Sequence, residues 1–390
     1  MKEWRYFYGD GKEHSNVKIE KLPEPPPWRT FRNINTMGEE EKEEIDARWK
    51  DIQKLADAPE NERGKKKGAN FRIYENKKDG TEEPTEGWKD VVNGVNAALY
   101  LRRPLLVTGN PGTGKTSLAY AIAHELKLGP VLTWSITARS ILQDALYRYD
   151  AIARLQDAQL KNEKEKDIGN YIQLGSVGTA FLPSRLPRVL LIDEIDKSDI
   201  NLPNDLLHLF EEGMFEISEL VRQVDDAEEK ENHDAEEKEN HDAEEKENHD
   251  TDNRVKVHRV KVHTQDQGIK ASIYEGRVQC AAFPIVIMTS NGEREFPPAF
   301  MRRCLRVKMP DPKEEALKTI VKAHFGEDTF KGASTEINKL VAEFVEKGDR
   351  ATDQLLNVIY LLANHVSPQA TDREAIKALL LKSLSNTEEL

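Results

Sequence analysis

The segment GNPGTGKT, residues 109–116, follows the apolar run PLLVT (104–108) and precedes a helical stretch with Leu118, Ile122 and Leu126 on one face. It matches the pattern G-x-x-x-x-G-K-[ST], and a preceding strand and following helix are the context that this pattern requires. Its glycines let backbone N–H groups curl around phosphate oxygens at a helix N-terminus, whose dipole favours anions. The segment therefore predicts a nucleotide site in an α/β domain.

Two side chains of this segment are expected to act directly on the nucleotide. We expect Lys115 to reach the β- and γ-phosphates and the Thr116 hydroxyl to bind Mg²⁺. The predicted nucleotide-binding residues are Gly109, Asn110, Pro111, Gly112, Thr113, Gly114, Lys115, Thr116 and Ser117.

A second motif, RVLLIDEID (188–196), places two carboxylates at the end of another apolar strand. Successive residues of a strand point in different directions. Asp193 is therefore expected to hold Mg²⁺, and Glu194 to polarise an attacking water. A surface acidic turn is the alternative, but the apolar strand directly before these acids argues against it.

Polar residues also follow a third apolar strand. IVIMTSN (285–291) ends in Asn291, which can hold the attacking water, although Asn at a strand end is also common in turns. PPAFMRRCLRV (297–307) then offers Arg302 and Arg303, an adjacent pair that on its own is typical of an exposed surface.

Residues 1–68 are rich in proline and charge and include LPEPPPWRTF (22–31), which is typical of a polyproline II segment. We expect an arm rather than a domain, either mobile or lying against the body or a neighbouring subunit. The basic run RGKKKG (63–68) has two interpretations, a solvated linker or a contact with phosphates.

From about residue 69, short apolar runs alternate with helical periods, which is typical of an α/β layered domain. PLLVT, RVLLI and PIVIMTS are continuous apolar runs, as buried parallel strands are. We therefore predict an α/β fold at 69–310, with a parallel sheet between helical layers. The stretch 138–160 is predicted to be helical, with the apolar residues Ile141, Leu142, Leu146, Ile152 and Leu155.

Beyond residue 310 the strand pattern stops, and residues 311–390 are expected to form a small all-helical lid. Pro312 suits the first position of a helix, and Thr371 with Glu374 matches a capping box. The four predicted helical segments lie at about 312–324, 335–347, 353–365 and 372–384.

Residues 225–270 are predicted to be an insert in the α/β domain. Three identical copies of DAEEKENH (226–249) contain only Ala as an apolar residue, so this repeat is expected to be a solvated helix or disordered. The doubled RVKVH that follows (254–263) fits a β-strand. Its expected partner is MFEISELVRQV (214–224), in a hairpin with a long charged tip.

Composition limits the function classes of this 390-residue chain. Each octapeptide carries one Asp, three Glu and one Lys, so the three copies contribute -9 of the net charge of -13. The remainder is not basic, which argues against nonspecific binding to duplex DNA. Two cysteines exclude a disulfide scaffold. Without a signal-peptide pattern or a membrane-spanning apolar run, we expect a soluble, cytoplasmic protein.

Two further site classes are disfavoured by motif position. NKKD (76–79) fits the guanine-specificity pattern, but it precedes the phosphate-binding loop instead of following the acidic strand, so GTP specificity is not expected. The sequence has no HExxH motif and no paired CxxC, so it gives no support to a transition-metal site.

Together, GNPGTGKT, LLIDEID, MTSN and the arginine pair, followed by a helical lid, resemble AAA+ ATPases over about residues 85–385. Within that superfamily the chain is most similar to the MoxR-type group. The inserted repeat departs from that group, which has a short hairpin at this place. The resemblance is carried by SITARSILQDALYRYDA (135–151), IDKSDINLPNDLLHLFEEGMFEI (195–217), a hairpin before the third strand and NGEREFPPAFMRRCLR (291–306).

The resemblance implies a role for each matching residue. Lys115 and Thr116 correspond to the Walker A pair, Asp193 and Glu194 to the Walker B pair, and Asn291 to sensor 1.

Three arginines have implied roles as well. Arg303 aligns best with the arginine finger that reaches a neighbouring subunit's site, and Arg302 is the alternative. Arg350 is the sensor 2 candidate, although its spacing departs from the usual pattern.

For function, the resemblance implies an ATPase that uses ATP and Mg²⁺, assembles into a homo-oligomer, expected to be a hexamer, and acts as a chaperone on a separate protein. That partner could be a von Willebrand factor A domain protein, and the setting could be a bacterial conflict or antiviral defence system. Two alternatives stay open: a nucleic-acid motor of McrB type, and a regulatory switch in which ATP-dependent assembly is the output.

Overall fold

The computed structural model describes residues 4–14, 19–76, 82–84, 87–160, 167–225, 258–326, 334–347, 351–363, 372 and 375. No helix within these ranges is long and apolar enough to cross a membrane. The strands are β1 (Tyr74–Asn76), β2 (Glu82–Pro84), β3 (Leu105–Thr108), β4 (Leu132–Ser135), β5 (Tyr147–Tyr149), β6 (Ile172–Leu174), β7 (Val189–Asp193), β8 (Met214–Glu216), β9 (Arg259–His263), β10 (Lys270–Tyr274), β11 (Arg277–Gln279), β12 (Ile285–Ser290) and β13 (Leu305–Lys308).

The α-helices flank two sheets and form a separate group near the C-terminus. They are α1 (Glu39–Ala56), α2 (Glu62–Asn70), α3 (Trp88–Leu101), α4 (Lys115–Glu125), α5 (Leu142–Leu146), α6 (Ala151–Leu160), α7 (Ser176–Ala180), α8 (Leu202–Glu212), α9 (Pro298–Arg303), α10 (Glu314–Phe325), α11 (Ser334–Lys347) and α12 (Thr352–Ala363).

The central sheet has five parallel strands in the order β13-β3-β12-β7-β4. Its three middle strands are the three apolar runs of the sequence, so the predicted α/β fold with a parallel sheet is confirmed. Carboxyl ends of parallel strands lie at one edge of a sheet. The loop 109–116, the acidic pair and Asn291 therefore come together, because each follows one of these strands.

Alternate residues of the central strands pack into two different cores. In β7, Leu190 and Ile192 face a core shared with the second sheet, whereas Val189 and Leu191 face a core shared with α3 and α4. All four side chains are fully buried. A strand covered on both faces must be apolar at every position, which explains the continuous apolar runs.

The second sheet corrects the predicted hairpin. Its strand order is β5-β6-β9-β10-β11-β8, and β9 pairs antiparallel with β10, while β8 pairs with β11. The expected partner of the RVKVH strand, residues 214–224, is therefore wrong: only its first residues form β8, and residues 218–225 are helical. The β-strand expected for RVKVH is present at Arg259–His263, with Val260 and Val262 buried. The DAEEKENH repeat and residues 254–257 lie outside the described residues.

The N-terminal region lies against the body, one of the two expected arrangements, but it contains two helices that were not predicted. The Asn96 side chain accepts the backbone N–H groups of Tyr6 and Phe7 and donates to the Phe7 carbonyl, which fixes the start of the described chain on α3. Phe31 stacks on Phe283, with ring centroids 5.5 Å apart. The basic run 63–68 is not a linker, since it forms most of α2.

The predicted helix at 138–160 is interrupted. It is replaced by α5, β5 and α6, because Tyr147–Tyr149 pairs with β6 and joins the second sheet. Three of the apolar residues that suggested one long helix, Ile141, Ile152 and Leu155, are exposed.

The C-terminal helices α10, α11 and α12 overlap three of the four predicted helical segments and share a small core that includes Leu317, Val341 and Leu355. Pro312 is not the first helical residue, because α10 begins at Glu314 after Lys313. Arg350 and the capping-box residues Thr371 and Glu374 lie outside the described residues. Of the fourth predicted segment, the structure describes only Asp372 and Ala375.

Candidate functional site

The loop 109–116 connects β3 to α4 in the conformation that glycine permits. Gly112 and Gly114 have φ angles of +76° and +88°, values that L side chains rarely adopt. A Cβ on Gly112 would lie 2.6 Å from the Cα of Ala351, so the loop also passes very close to the residue that precedes α12. Because α4 begins at Lys115, the loop presents the N-terminus of a helix, where backbone N–H groups bind anions.

Lys115 is buried, with 8% of its surface exposed. Its Nζ donates to the carbonyl oxygens of Gly109 at 2.7 Å and Asn110 at 2.8 Å. Burial lowers the pKa of Lys115, while the nearby carboxylates of Asp196 and Asp193 act in the opposite direction. The ammonium is thus held at the phosphate-binding loop, where a lysine can bind phosphate as a point charge.

Asp193 joins the loop to the next two strands. Its Oδ1 accepts the hydroxyl of Thr116 at 3.0 Å and the hydroxyl of Thr289 at 2.6 Å. A carboxylate and a hydroxyl are hard oxygen ligands of the kind that Mg²⁺ prefers. Thr116 and Asp193 therefore fit the metal ligands expected from the sequence, whereas Thr289 was missed, because a Thr inside a buried strand gives no sequence signal of its own.

Glu194 leaves the strand in a left-handed conformation with φ of +61°. Its backbone N–H donates to Thr289 Oγ1 at 2.8 Å, and its carboxylate pairs with Lys197 Nζ at 2.8 Å. The carboxylates of Glu194 and Asp193 thus have different partners, a lysine for the first and two hydroxyls for the second. A non-glycine residue in this region costs free energy and is frequent at functional sites.

Asn291 follows β12 at the same edge of the sheet. Its backbone N–H donates to Asp196 Oδ2 at 2.8 Å. Together with Asp193 and Glu194, Asn291 borders a cavity of about 520 Å³. Ligand sites commonly have volumes of about 300–1,000 Å³.

The cavity has three walls. The loop residues from Pro111 to Ser117 form one, the carboxylates and Asn291 another, and residues of the N-terminal region and the helical lid the third. Sequence reasoning missed this last wall, because its residues match no motif and come from distant parts of the chain. They are Lys67, Asn70, Phe71, Arg72, Trp88, Pro312, Ile320, His324, Thr352, Asp353 and Leu356.

A larger cavity, about 710 Å³, lies between α1, α2 and α4, away from the acidic pair. Two of its lysines are already neutralised by ion pairs, Lys65 with Asp57 at 2.5 Å and Lys127 with Glu13 at 2.7 Å. The smaller cavity is the better candidate site, since it collects the phosphate-binding loop and both acids.

The arginine pair lies elsewhere. Arg303 Nε forms an ion pair with Glu211 of α8, and the Arg302 carbonyl accepts a hydrogen bond from Arg103 at 2.9 Å. Neither Arg302 nor Arg303 is among the described residues that border the 520 Å³ cavity. The sensor 2 candidate, Arg350, lies outside the described residues.

The chain is similar in part to several solved structures. The chain is similar to the FIGL-1 AAA domain in complex with ADP, with 16% identity, a TM-score of 0.30, and coverage of 76% of this chain and 72% of that chain. It is similar to Hsp104, in a closed-state reconstruction with ATPγS and casein, with 16% identity and a TM-score of 0.39. That match covers 89% of this chain and 50% of that chain. It is also similar to domain III of the Thermotoga maritima replication initiation protein DnaA, with 15% identity and a TM-score of 0.35. That match covers 76% of this chain and 94% of that chain.

No curated protein sequence matches the chain. A family model does match it: the model for the ATPase family associated with various cellular activities (AAA) covers residues 105–310, more than half of the chain. These residues run from β3 to the end of β13 and include the loop, the acidic pair and Asn291. The chain therefore belongs to the AAA ATPase family.

Proposed function

We propose that this chain binds and hydrolyses ATP in the 520 Å³ cavity. The observation that carries the proposal is the contact between Thr116 Oγ1 and Asp193 Oδ1, at 3.0 Å, beside the buried Lys115. It brings together, from the first turn of α4 and the end of β7, the hydroxyl, carboxylate and ammonium that a nucleoside triphosphate and its metal require.

In this proposal each side chain has one task. Lys115 holds the β- and γ-phosphates, with the N–H groups of the glycine loop. Glu194 accepts a proton from the attacking water, and Asn291 orients that water. Mg²⁺, held by Thr116 and Asp193, supplies charge neutralisation at the phosphate oxygens when it is bound.

Substitutions at Lys115 and Glu194 separate binding from hydrolysis. Lys115→Ala should abolish ATP binding, because it removes the charge that faces the phosphates. Glu194→Gln should bind ATP with wild-type affinity and hydrolyse it about 10²–10⁴-fold more slowly, since the amide cannot accept a proton. Titration with a fluorescent ATP analogue and a phosphate-release assay measure the two properties. Normal nucleotide affinity in Lys115→Ala would show that the site is wrongly assigned.

For assembly, we propose a ring, expected to be a hexamer, in which Arg303 completes the site of the neighbouring subunit. Support comes from its position: Arg303 is half-buried on α9, and it does not border the cavity of its own chain among the described residues. Arg302, which is exposed beside it, is the alternative.

Mixed subunits test this assembly. An arginine finger contributes about 10³–10⁵ in rate in GTPases, so Arg303→Ala should be nearly inactive although it binds ATP. Mixing it with Lys115→Ala should restore part of the activity, because some interfaces then combine an intact loop with an intact arginine. Unchanged activity in Arg303→Ala, with no gain on mixing, would exclude Arg303 and leave Arg302.

The finer proposal is a MoxR-like chaperone that remodels or activates a separate protein, with a von Willebrand factor A domain protein as the partner class and a defence system as the setting. It is supported by the MoxR-like motifs, above all the stretch 195–217. A co-encoded protein should raise the ATPase rate. Stimulation by DNA instead would favour the nucleic-acid motor.

A further inference from the structure

Two turns follow the strands that carry the proposed catalytic side chains. Glu194 begins the turn 194–199 after β7, and Asn291 begins the turn 291–294 after β12. The two strands are hydrogen-bonded neighbours in the central sheet. The separation of the Glu194 and Asn291 side chains depends on how these two turns are held.

Asp196, in the first turn, holds the second. The residue is 5% exposed, and its Oδ2 accepts the backbone N–H groups of Asn291 at 2.8 Å and Glu293 at 3.2 Å. Its Oδ1 is buried and has no hydrogen-bond partner in the part of the chain that the structure describes. Every hydrogen bond that this carboxylate makes there is therefore directed at the turn that begins with Asn291.

Arg294, in the second turn, holds the first. Its guanidinium donates to the Ser198 carbonyl at 2.7 Å, to Ser198 Oγ at 3.3 Å and to the Asp199 carbonyl at 3.3 Å. Within the described residues its Nε is buried without a partner. The guanidinium bonds, like those of Asp196, thus cross from one turn to the other.

We propose that Asp196 and Arg294 act as a reciprocal clamp that fixes Asn291 relative to Glu194, and so sets the place of the attacking water. The clamp rests on the proposed ATP hydrolysis. Its members are positioning residues: neither borders the 520 Å³ cavity among the residues described, and each acts through backbone groups of the opposite turn. Misplacement of a reacting group by about 1 Å can lower a rate about 100-fold.

The clamp predicts a loss of kcat without a loss of nucleotide binding. Asp196→Ala and Arg294→Ala should each lower kcat by about tenfold to 100-fold, while the affinity for ATP stays at the wild-type value. Asp196→Asn should be closer to wild type than Asp196→Ala, because the amide oxygen can still accept both N–H groups. Arg294→Lys should recover part of the rate, since an ammonium can still donate to the Ser198 carbonyl.

A double-mutant cycle with Asn291→Ala tests whether the clamp works through Asn291. If it does, adding Asp196→Ala to Asn291→Ala should lower kcat little further, because the side chain to be positioned is already absent. Fully multiplicative losses, or equal rates in Asp196→Ala and wild type, would overturn the clamp. A loss of ATP affinity with unchanged kcat would also overturn it, since that result indicates a binding role.

Glu194→Gln separates this proposal from the one on which it rests. If wild type and Glu194→Gln hydrolyse ATP at the same rate, the proposed hydrolysis is wrong and the clamp is wrong with it. If Glu194→Gln is inactive while the clamp variants match wild type, only the clamp is wrong. If Asp196→Ala has a lowered melting temperature, kcat is compared instead in Asp196→Asn and Arg294→Lys, the conservative variants. Values of kcat as low as those of the alanine variants would contradict the positioning role.

Discussion

Glu125 is a buried carboxylate at the last residue of α4, the helix that begins at Lys115. Its Oε2 accepts the N–H groups of Tyr8 at 3.0 Å and Gly9 at 3.1 Å, and its Oε1 accepts that of Gly11 at 3.0 Å. Burial raises the pKa of Glu125 to about 7, although these three hydrogen bonds lower it. Desolvation is therefore larger than the stabilisation of the charge by backbone donors.

The raised pKa predicts the sign of a pH effect. Below the unfolded-state pKa, near 4.5, Glu125 is neutral in both states and its contribution to stability is fully present. That contribution is lost as pH rises through about 7, because the folded state must then bury a charge. The total change is about 3 kcal/mol.

Unfolding free energies of wild type and Glu125→Gln, measured from pH 4.5 to 8.5, isolate this effect. The amide does not titrate, so wild type should lose stability relative to the variant as pH rises. Glu125→Gln itself should cost about 1–3 kcal/mol at low pH, because one backbone N–H loses its acceptor. A difference between the two proteins that does not change with pH would contradict the raised pKa.

At the scale of elements, α2 and α4 cross at a glycine. A Cβ on Gly68 would overlap the backbone oxygen of Tyr120, so the two helices can approach this closely only without a side chain there. On the next residue, Lys67 places its Nζ 5.0 Å from the Tyr120 ring centroid. The crossing connects the N-terminal region to the helix that carries the phosphate-binding loop.

Gly68→Ala should therefore destabilise the protein. Alanine gains about 1 kcal/mol of helix propensity over glycine, but overpacking against a backbone atom costs about 1–3 kcal/mol. Gly64→Ala, one turn earlier, is the matched control, because its Cβ would meet only the Tyr120 ring, at 3.0 Å, and a ring can turn aside. Chemical denaturation measures both. Equal or greater stability of Gly68→Ala than of Gly64→Ala would show that the helices separate without cost.

Elements differed in how far the sequence predicted them. β3, β7 and β12 could be predicted because both faces of a central strand are buried, which requires continuous apolar runs. The partner of β9 could not be predicted, because strand pairing depends on where the chain returns. In the sheet, β10 and the three-residue β11 lie between β9 and β8, and so short a strand gives little sequence signal. The helix α1 was also missed, because among its hydrophobic residues only Ile45 and Ile52 are buried.

The site shows the same division. Lys115, Asp193 and Asn291 occur in motifs whose spacing encodes their chemistry, so their proximity follows from a parallel sheet. Thr289 and Asp196 could not be assigned roles from sequence, because their roles depend on contacts between strands that only the fold creates.

At the scale of the whole molecule, the hairpin next to the repeat is tied to the catalytic sheet. Arg188, directly before β7, forms two hydrogen bonds with Asp266 between β9 and β10, at 2.6 and 2.9 Å. Both side chains are 4% exposed. On the same hairpin, Arg259 pairs with Glu40 and Glu44 of α1. The segment that follows the repeat is therefore anchored independently of the repeat itself.

That anchoring leads to a prediction for the octapeptide repeat, which lies outside the described residues. Variants with zero, one, three and six copies should share a melting temperature and ATP affinity, because each doubling of a solvated loop costs only about 0.6 kcal/mol. We expect partner-dependent ATPase activity to vary along the series, if repeat number sets the reach or charge of the hairpin tip. A neutral spacer is the alternative interpretation, and equal activities throughout would establish it.

A control separates the length of the repeat from its charge. A three-copy variant with every repeat Glu replaced by Gln keeps the wild-type length and removes nine negative charges, three from each copy. If charge tunes the partner, this variant should behave like the zero-copy protein; if reach does, it should behave like wild type. A collapse of stability at zero copies would contradict both, because it would mean that a unit with alanine as its only apolar residue packs against the anchored hairpin.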